Sequence, residues 1–191
     1  MPGDKSDDER FEEIVRLIKA GDPGVTNAVR GELERMVVPK RSAGPMPSGW
    51  YTIRVELLSG RDLVFDQPPG RDFLVSPHHT FRRFAEAINA AFGRWDLGHL
   101  YVFRMADGSG IGTPGDDLPY RDAATSKVGR REEAEVFEFE FDFGDGWEHR
   151  CTVLEVEVDP EDVYGVRPKG PVAVWGWGSI PDQYGRTTPE A

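Results

Sequence analysis

Between Val136 and Val158 the chain reads VFEFEFDFGDGWEHRCTVLEVEV, and this stretch constrains the fold more than any other. Phe137, Phe139, Phe141 and Phe143 alternate with Glu138, Glu140 and Asp142. Successive side chains of a strand point to opposite faces, so one side of this strand is aromatic and the other acidic. Gly144-Asp145-Gly146 supplies turn residues for a return strand from Trp147. A two-residue Asp145-Gly146 turn would oppose Asp142 with His149 and Phe143 with Glu148. A three-residue loop, with Gly146 left-handed, opposes Phe143 with Trp147, Phe141 with His149, Phe139 with Cys151 and Phe137 with Val153. The second register gathers the apolar residues on one face and is the one expected. It sets Glu140 against Arg150 and Asp142 against Glu148, a like-charge pair that a cation, a shared proton or an arginine from elsewhere would offset. Beyond Val153 the apolar parity moves to Leu154, Val156 and Val158, which points to a bulge or to burial on both faces.

The rest of the chain is consistent with an α+β fold. Tyr51, Ile53, Val55 and Leu57 alternate with polar residues as a strand, and a short strand is expected near Asp72–Ser76. Thr80 is a candidate N-cap for a helix whose apolar face is Phe81, Phe84, Ala85, Ile88 and Phe92, ended by Gly93. His99–Ala106 reads as a further strand, followed by a Gly/Pro/Asp-rich loop to about residue 131. The expected architecture is a curled, mostly antiparallel sheet with one packed helix. Two apolar stripes, Phe11, Ile14, Val15 and Ile18, then Val25, Val29, Leu33, Met36 and Val37, predict an N-terminal helical hairpin over residues 1–38. Residues 39–49 read as a linker and 50–191 as the main domain, with an aperiodic Gly/Pro/aromatic tail from Val163.

Charge narrows the partners. The chain carries a formal charge of −11, and residues 132–162 hold thirteen carboxylates against one base, Arg150. Such a face repels phosphate backbones, which argues against nucleic acid binding there. A DNA-associated role would have to use Arg82, Arg83, Arg94 and the Lys127–Arg131 loop. No apolar run is long enough for a membrane helix and the polar N-terminus has no signal-peptide core, so a cytoplasmic protein without membrane attachment is expected. The single cysteine, Cys151, excludes an internal disulfide framework and a Cys-rich zinc site. Mid-strand on the apolar face, it reads as core rather than nucleophile. Asp142-Phe143-Gly144 spells a kinase motif without the rest of a kinase. Gly110-Ile111-Gly112-Thr113-Pro114-Gly115 spells a dinucleotide loop, but Pro114 and Asp-Asp-Leu-Pro forbid the helix that loop must open.

Two functional readings stand ahead of the DNA-associated alternative. The first is a non-catalytic binding module for a protein or small ligand, using Trp147, Trp175, Trp177 and Tyr184. The second is a metal-dependent hydrolase built on His99, Asp142, Asp145, Glu148 and His149, donors suited to zinc, manganese or iron. No organic cofactor is expected; a divalent metal is the alternative. His78 and His79 precede the helix and are expected to be exposed.

The segment Phe139-Glu-Phe-Asp-Phe-Gly-Asp-Gly-Trp-Glu-His149 resembles the signature of the plasmid pRiA4b ORF-3-like family, also described as insertion-element passenger TnpR-like proteins. Tyr51–Leu57, the helix from Thr80 to Gly93, Asp96–Phe103 and the tail Trp175–Arg186 are similar to further family segments. Where the family helix carries Leu-His, this chain has Phe84-Ala85. The resemblance implies a compact α+β domain linked to mobile elements, without a defined biochemical activity.

Overall fold

Strand periodicity dominates the molecule. The computed structural model describes residues 46–115 and 118–186, and the expected N-terminal helical hairpin and most of the linker lie outside them. The chain runs β1 (Trp50–Gly60), β2 (Leu63–Val64), β3 (Gly70–Val75), α1 (Phe81–Ala91), β4 (Tyr101–Arg104), β5 (Gly110–Gly112) and β6 (Arg121–Asp122). It continues through β7 (Val136–Phe141), β8 (Trp147–Val158), α2 (Pro160–Tyr164) and β9 (Val172–Trp177). The strands form one open sheet in the order β6-β5-β4-β7-β8-β1-β3-β9, with β2 folded back on the end of β1. Pairing is antiparallel except between β5 and β6, so the sheet is mixed.

α1 forms where its apolar face predicts. The Thr80 hydroxyl accepts from the Arg83 N–H at 3.3 Å, and Gly93 (φ +63°) turns the chain away after Phe92. Phe84 meets both Phe73 of β3 and Phe103 of β4, with ring centroids 5.7 and 5.8 Å away. Those two rings are therefore no more than about 12 Å apart, whereas four flat strand spacings would separate β3 from β4 by about 19 Å. The sheet curls around the helix. The buried cluster gathers Ile53, Val55, Leu57, Phe81, Ile88, Phe137, Phe139, Phe141, Trp147 and Val153 on this concave side.

The outer face holds the charge. Glu and Asp side chains there meet arginines from neighbouring strands: Arg54 grips Asp72 through two bonds of 2.9 and 3.0 Å, Arg150 reaches Glu56 at 2.9 Å, and Arg104 bonds Glu140. The acidic stretch is thus laced across β1, β3, β4, β7 and β8.

The central hairpin keeps the expected face but not the expected register. Phe141 opposes Trp147, Phe139 opposes His149, Phe137 opposes Cys151 and Glu138 opposes Arg150. The loop has five residues, 142–146, because Asp142 itself turns left-handed (φ +59°) and caps the turn. Its Oδ1 accepts from the N–H groups of Gly144 (3.1 Å) and Asp145 (3.4 Å), and its carbonyl accepts from Gly146 N–H at 2.6 Å. An Asx turn of this kind removes two residues from the ladder, and Phe143 is left exposed. The like-charge pair becomes Glu140 against Glu148, relieved by Arg104 on one side and the Ser59 hydroxyl on the other. The parity change after Val153 is a bulge, with Glu157 at φ +58° and the β1 register shifting beside it.

Three further expectations are corrected. The aperiodic tail contains β9, which completes the sheet against β3. The Gly-rich loop contributes β5 and β6. His79 is buried, its Nδ1 accepting from Ser76 N–H at 3.1 Å and its ring edge-on to Trp50; His78 alone is exposed. Among the described residues, no helix is long and apolar enough to cross a membrane.

Candidate functional site

The segment that leaves α1 organises the polar side chains. Gly93 sends Arg94 back into the core, where its guanidinium lies 3.7 Å above the Trp147 ring. Desolvation pulls its pKa down to about 10, opposed by the charges of Asp182 and Asp145. Gln183, fully buried, then clamps the following turn: its Oε1 accepts from Trp95 and Asp96 N–H, and its Nε2 donates to the Asp96 carbonyl. This clamp brings Tyr184 against the 96–99 turn. The Tyr184 hydroxyl donates to Asp96 Oδ2 at 2.8 Å, which raises the phenol pKa to about 12 and lowers that of Asp96. The phenol oxygen is left to accept from His99 Nε2 at 2.9 Å. On the other side of the ring, His99 Nδ1 lies 3.3 Å from Asp142 Oδ2. Tail, turn and hairpin loop therefore meet at one imidazole.

That imidazole forms part of the wall of a cleft of about 460 Å³, within the usual range of about 300–1,000 Å³ for small-molecule sites. α1 contributes Arg82, Ala85, Glu86 and Asn89; β4 and β7 contribute Tyr101 and Phe141; the β5–β6 region contributes Gly112, Thr113, Pro114, Asp122 and Ala124. Asn89 is only 4% exposed, yet its Oδ1 has no hydrogen-bond partner. An orphaned amide oxygen is expensive to bury, and this one is closed to solvent, so the cleft does not reach it. A second, shallower groove of about 500 Å³ follows β9 beside Arg71. Arg71 Nη1 there is already bonded to the carbonyls of Gly70 and Trp177.

The proposed metal donors are divided. His99 and Asp142 meet, as above. His149 lies in the core with Nδ1 at 3.2 and 3.1 Å from the Phe139 and Trp147 carbonyls. Carbonyls only accept, so Nδ1 holds the proton and Nε2 presents a bare lone pair with no partner. Burial pushes this histidine down to about 3. Glu148 points to the outer face and accepts from Ser59. Asp145 stays in the loop, 3.9 Å from Arg61. Among the described residues no three His, Cys, Asp or Glu side chains gather in a metal-holding group.

The proposed binding aromatics are divided too. Trp147 is fully buried under Arg94, and Tyr184 serves His99. Trp177 donates its indole N–H to the Pro68 carbonyl and stacks under Arg54, while Trp175 is 66% exposed on the edge strand. Sequence reasoning missed Asn89 and Gln183. Asn89 has a readable signal, since it follows Ala85 by four positions and so interrupts the apolar helix face. Gln183 sits in an aperiodic tail and has none.

Fold and cleft together define a sheet-dominated domain with one long helix laid in its concave face and a polar-and-aromatic cleft beside that helix. The chain belongs to the plasmid pRiA4b ORF-3-like protein family, whose model matches residues 50–181. The uncharacterized protein y4hQ of Sinorhizobium fredii (strain NBRC 101917 / NGR234) is 38% identical over 76 residues. That match covers 37% of this chain and only 38% of the relative's length. The crystal structure of MM3350, a protein of unknown function from Methanosarcina mazei Go1, aligns with a TM-score of 0.54 at 22% identity. It covers 66% of this chain and 68% of that one, a likeness of fold.

Proposed function

We propose that this protein is a non-catalytic small-ligand binding module whose site is the cleft between α1, β4 and the β5–β6 region. The observation that carries the reading is the ligand-sized cleft itself, about 460 Å³, walled by Tyr101 and Phe141 on the sheet and by polar side chains of α1 and the β5–β6 region. His99 supports binding over hydrolysis, because both of its ring nitrogens already face protein oxygens, Tyr184 on one side and Asp142 on the other. A general base needs a nitrogen within reach of a substrate proton. The test is a nitrogen–proton correlation spectrum of the full chain, titrated with fragments of mixed charge. Shifts concentrated at residues 82–89, 97–101, 112–115 and 122–124 support the reading. Shifts confined to 172–178, or none, overturn it.

A further inference from the structure

The two ends of the sheet are built differently. β6 forms one end with two residues, Arg121 and Asp122, both charged. β9 forms the other with six, Val172–Trp177, none of them charged and none of them proline. Shortness, charge and proline keep an edge from pairing, and of such devices β9 carries only a bulge, where the register shifts between Asp72 and Phe73 of β3. Among the described residues no strand pairs with its outer side. Trp175 is 66% exposed at this edge, and the groove of about 500 Å³ runs from Ala173 to Gly178 beside Arg71.

Charge at this edge is opposite in sign to that of the molecule. From residue 163 to 181 the chain holds Arg167 and Lys169 and no carboxylate, in a protein of formal charge −11. Arg83 of α1 joins them, since a Cβ built on Gly170 would stand 3.2 Å from its Nη2. At the far end lies Arg71, opposite Gly176, with Nη1 bonded only to backbone carbonyls. Among the described residues Arg71, Arg83 and Lys169 have no carboxylate partner. Arg83 beside Gly170 and Arg71 beside Gly176 thus bracket about 20 Å of extended chain. A second copy pairing β9 antiparallel with β9 would set these cations against one another.

We propose that β9 docks an acidic, extended peptide of a partner protein, which adds a strand to the sheet. Its main chain pairs with the free side of β9 and an apolar side chain packs on Trp175. Carboxylates about six residues apart meet Arg83 and Lys169 at one end and Arg71 at the other. This surface is separate from the α1 cleft, so its failure leaves the small-ligand reading standing.

The probe is the capped heptapeptide Glu-Val-Thr-Val-Thr-Val-Glu, titrated into the full chain and followed by nitrogen–proton spectra. Saturable shifts concentrated at residues 169–178 are expected, weakening as salt rises. The same peptide with lysine at both ends should bind about tenfold more weakly. A version with proline at its centre, which lacks a ladder N–H, should not bind. Trp175→Ala, and Arg83→Gln combined with Lys169→Gln, should each weaken the acidic peptide about tenfold while the thermal melt stays cooperative. No shift at 169–178, equal affinity for the lysine peptide, or undiminished binding by Trp175→Ala overturns the proposal. A concentration-dependent dimer that Trp175→Ala abolishes assigns the edge to a second copy and overturns it as well.

Discussion

Single residues set the geometry of this molecule where the backbone must do something unusual. Asp142 occupies a left-handed position that costs an ordinary side chain about 1 kcal/mol or more, and it recovers that cost by accepting from two loop N–H groups and facing His99. Asp142→Ala should therefore lower stability by about 1–3 kcal/mol, measured as a shift in the urea midpoint. Asp142→Asn should recover most of the loss, because asparagine tolerates the conformation and keeps the accepting oxygen. Equal losses in the two variants would show that the turn does not depend on the accepting oxygen. Gly60 is the second such position. A Cβ built there would stand 2.2 Å from Trp147 Cε3, closer than any real carbon contact. Gly60→Ala should cost about 1–3 kcal/mol through overpacking and alter the near-ultraviolet dichroism of the buried indole. An unchanged spectrum and melt would contradict this close approach.

Elements differ in how far neighbouring residues alone determine them. β1, β7, β8 and α1 are legible in the sequence because each buries one face, and burial imposes a period of two or of about 3.6 that survives without knowledge of partners. β5, β6 and β9 are not. They are short or glycine-rich, and they extend only because a neighbour offers an unpaired edge: β4 for β5, β5 in turn for β6, and β3 for β9. β9 shows the consequence for its two tryptophans. Trp177 is held by a hydrogen bond to Pro68 and by the Arg54 guanidinium, whereas Trp175 projects from the sheet edge. Trp177→Ala should cost about 2 kcal/mol, while Trp175→Ala should change stability by less than about 0.5 kcal/mol, both read by calorimetry. A large loss on removing Trp175 would mean that the edge is packed against something in solution.

At the scale of the whole molecule, two buried histidines link stability to acidity. Burial is the main cause in both, depressing His149 to about 3 and His79 to about 4, against about 6.5 in an unfolded chain. Between these values the unfolded chain binds protons that the folded protein refuses, so stability is full above about pH 6.5 and falls as the pH drops. Each histidine steepens that fall by up to about 1.4 kcal/mol per pH unit. Melting temperatures should decline from pH 6.5 to 5, before most carboxylates titrate, and His79→Gln should flatten the decline. A level profile would refute the linkage. The sequence by itself determined the aromatic and acidic faces of the central hairpin, the helix with its cap and apolar side, and the family. Those properties are local periodicities, repeated within a few residues. Only the tertiary structure decided the five-residue loop, the edge strands and the cleft. The loop length depends on a side chain capping its own turn. The edges depend on strands distant in sequence. The cleft depends on α1, the 97–101 turn, the β5–β6 region and Phe141 arriving together around Asn89.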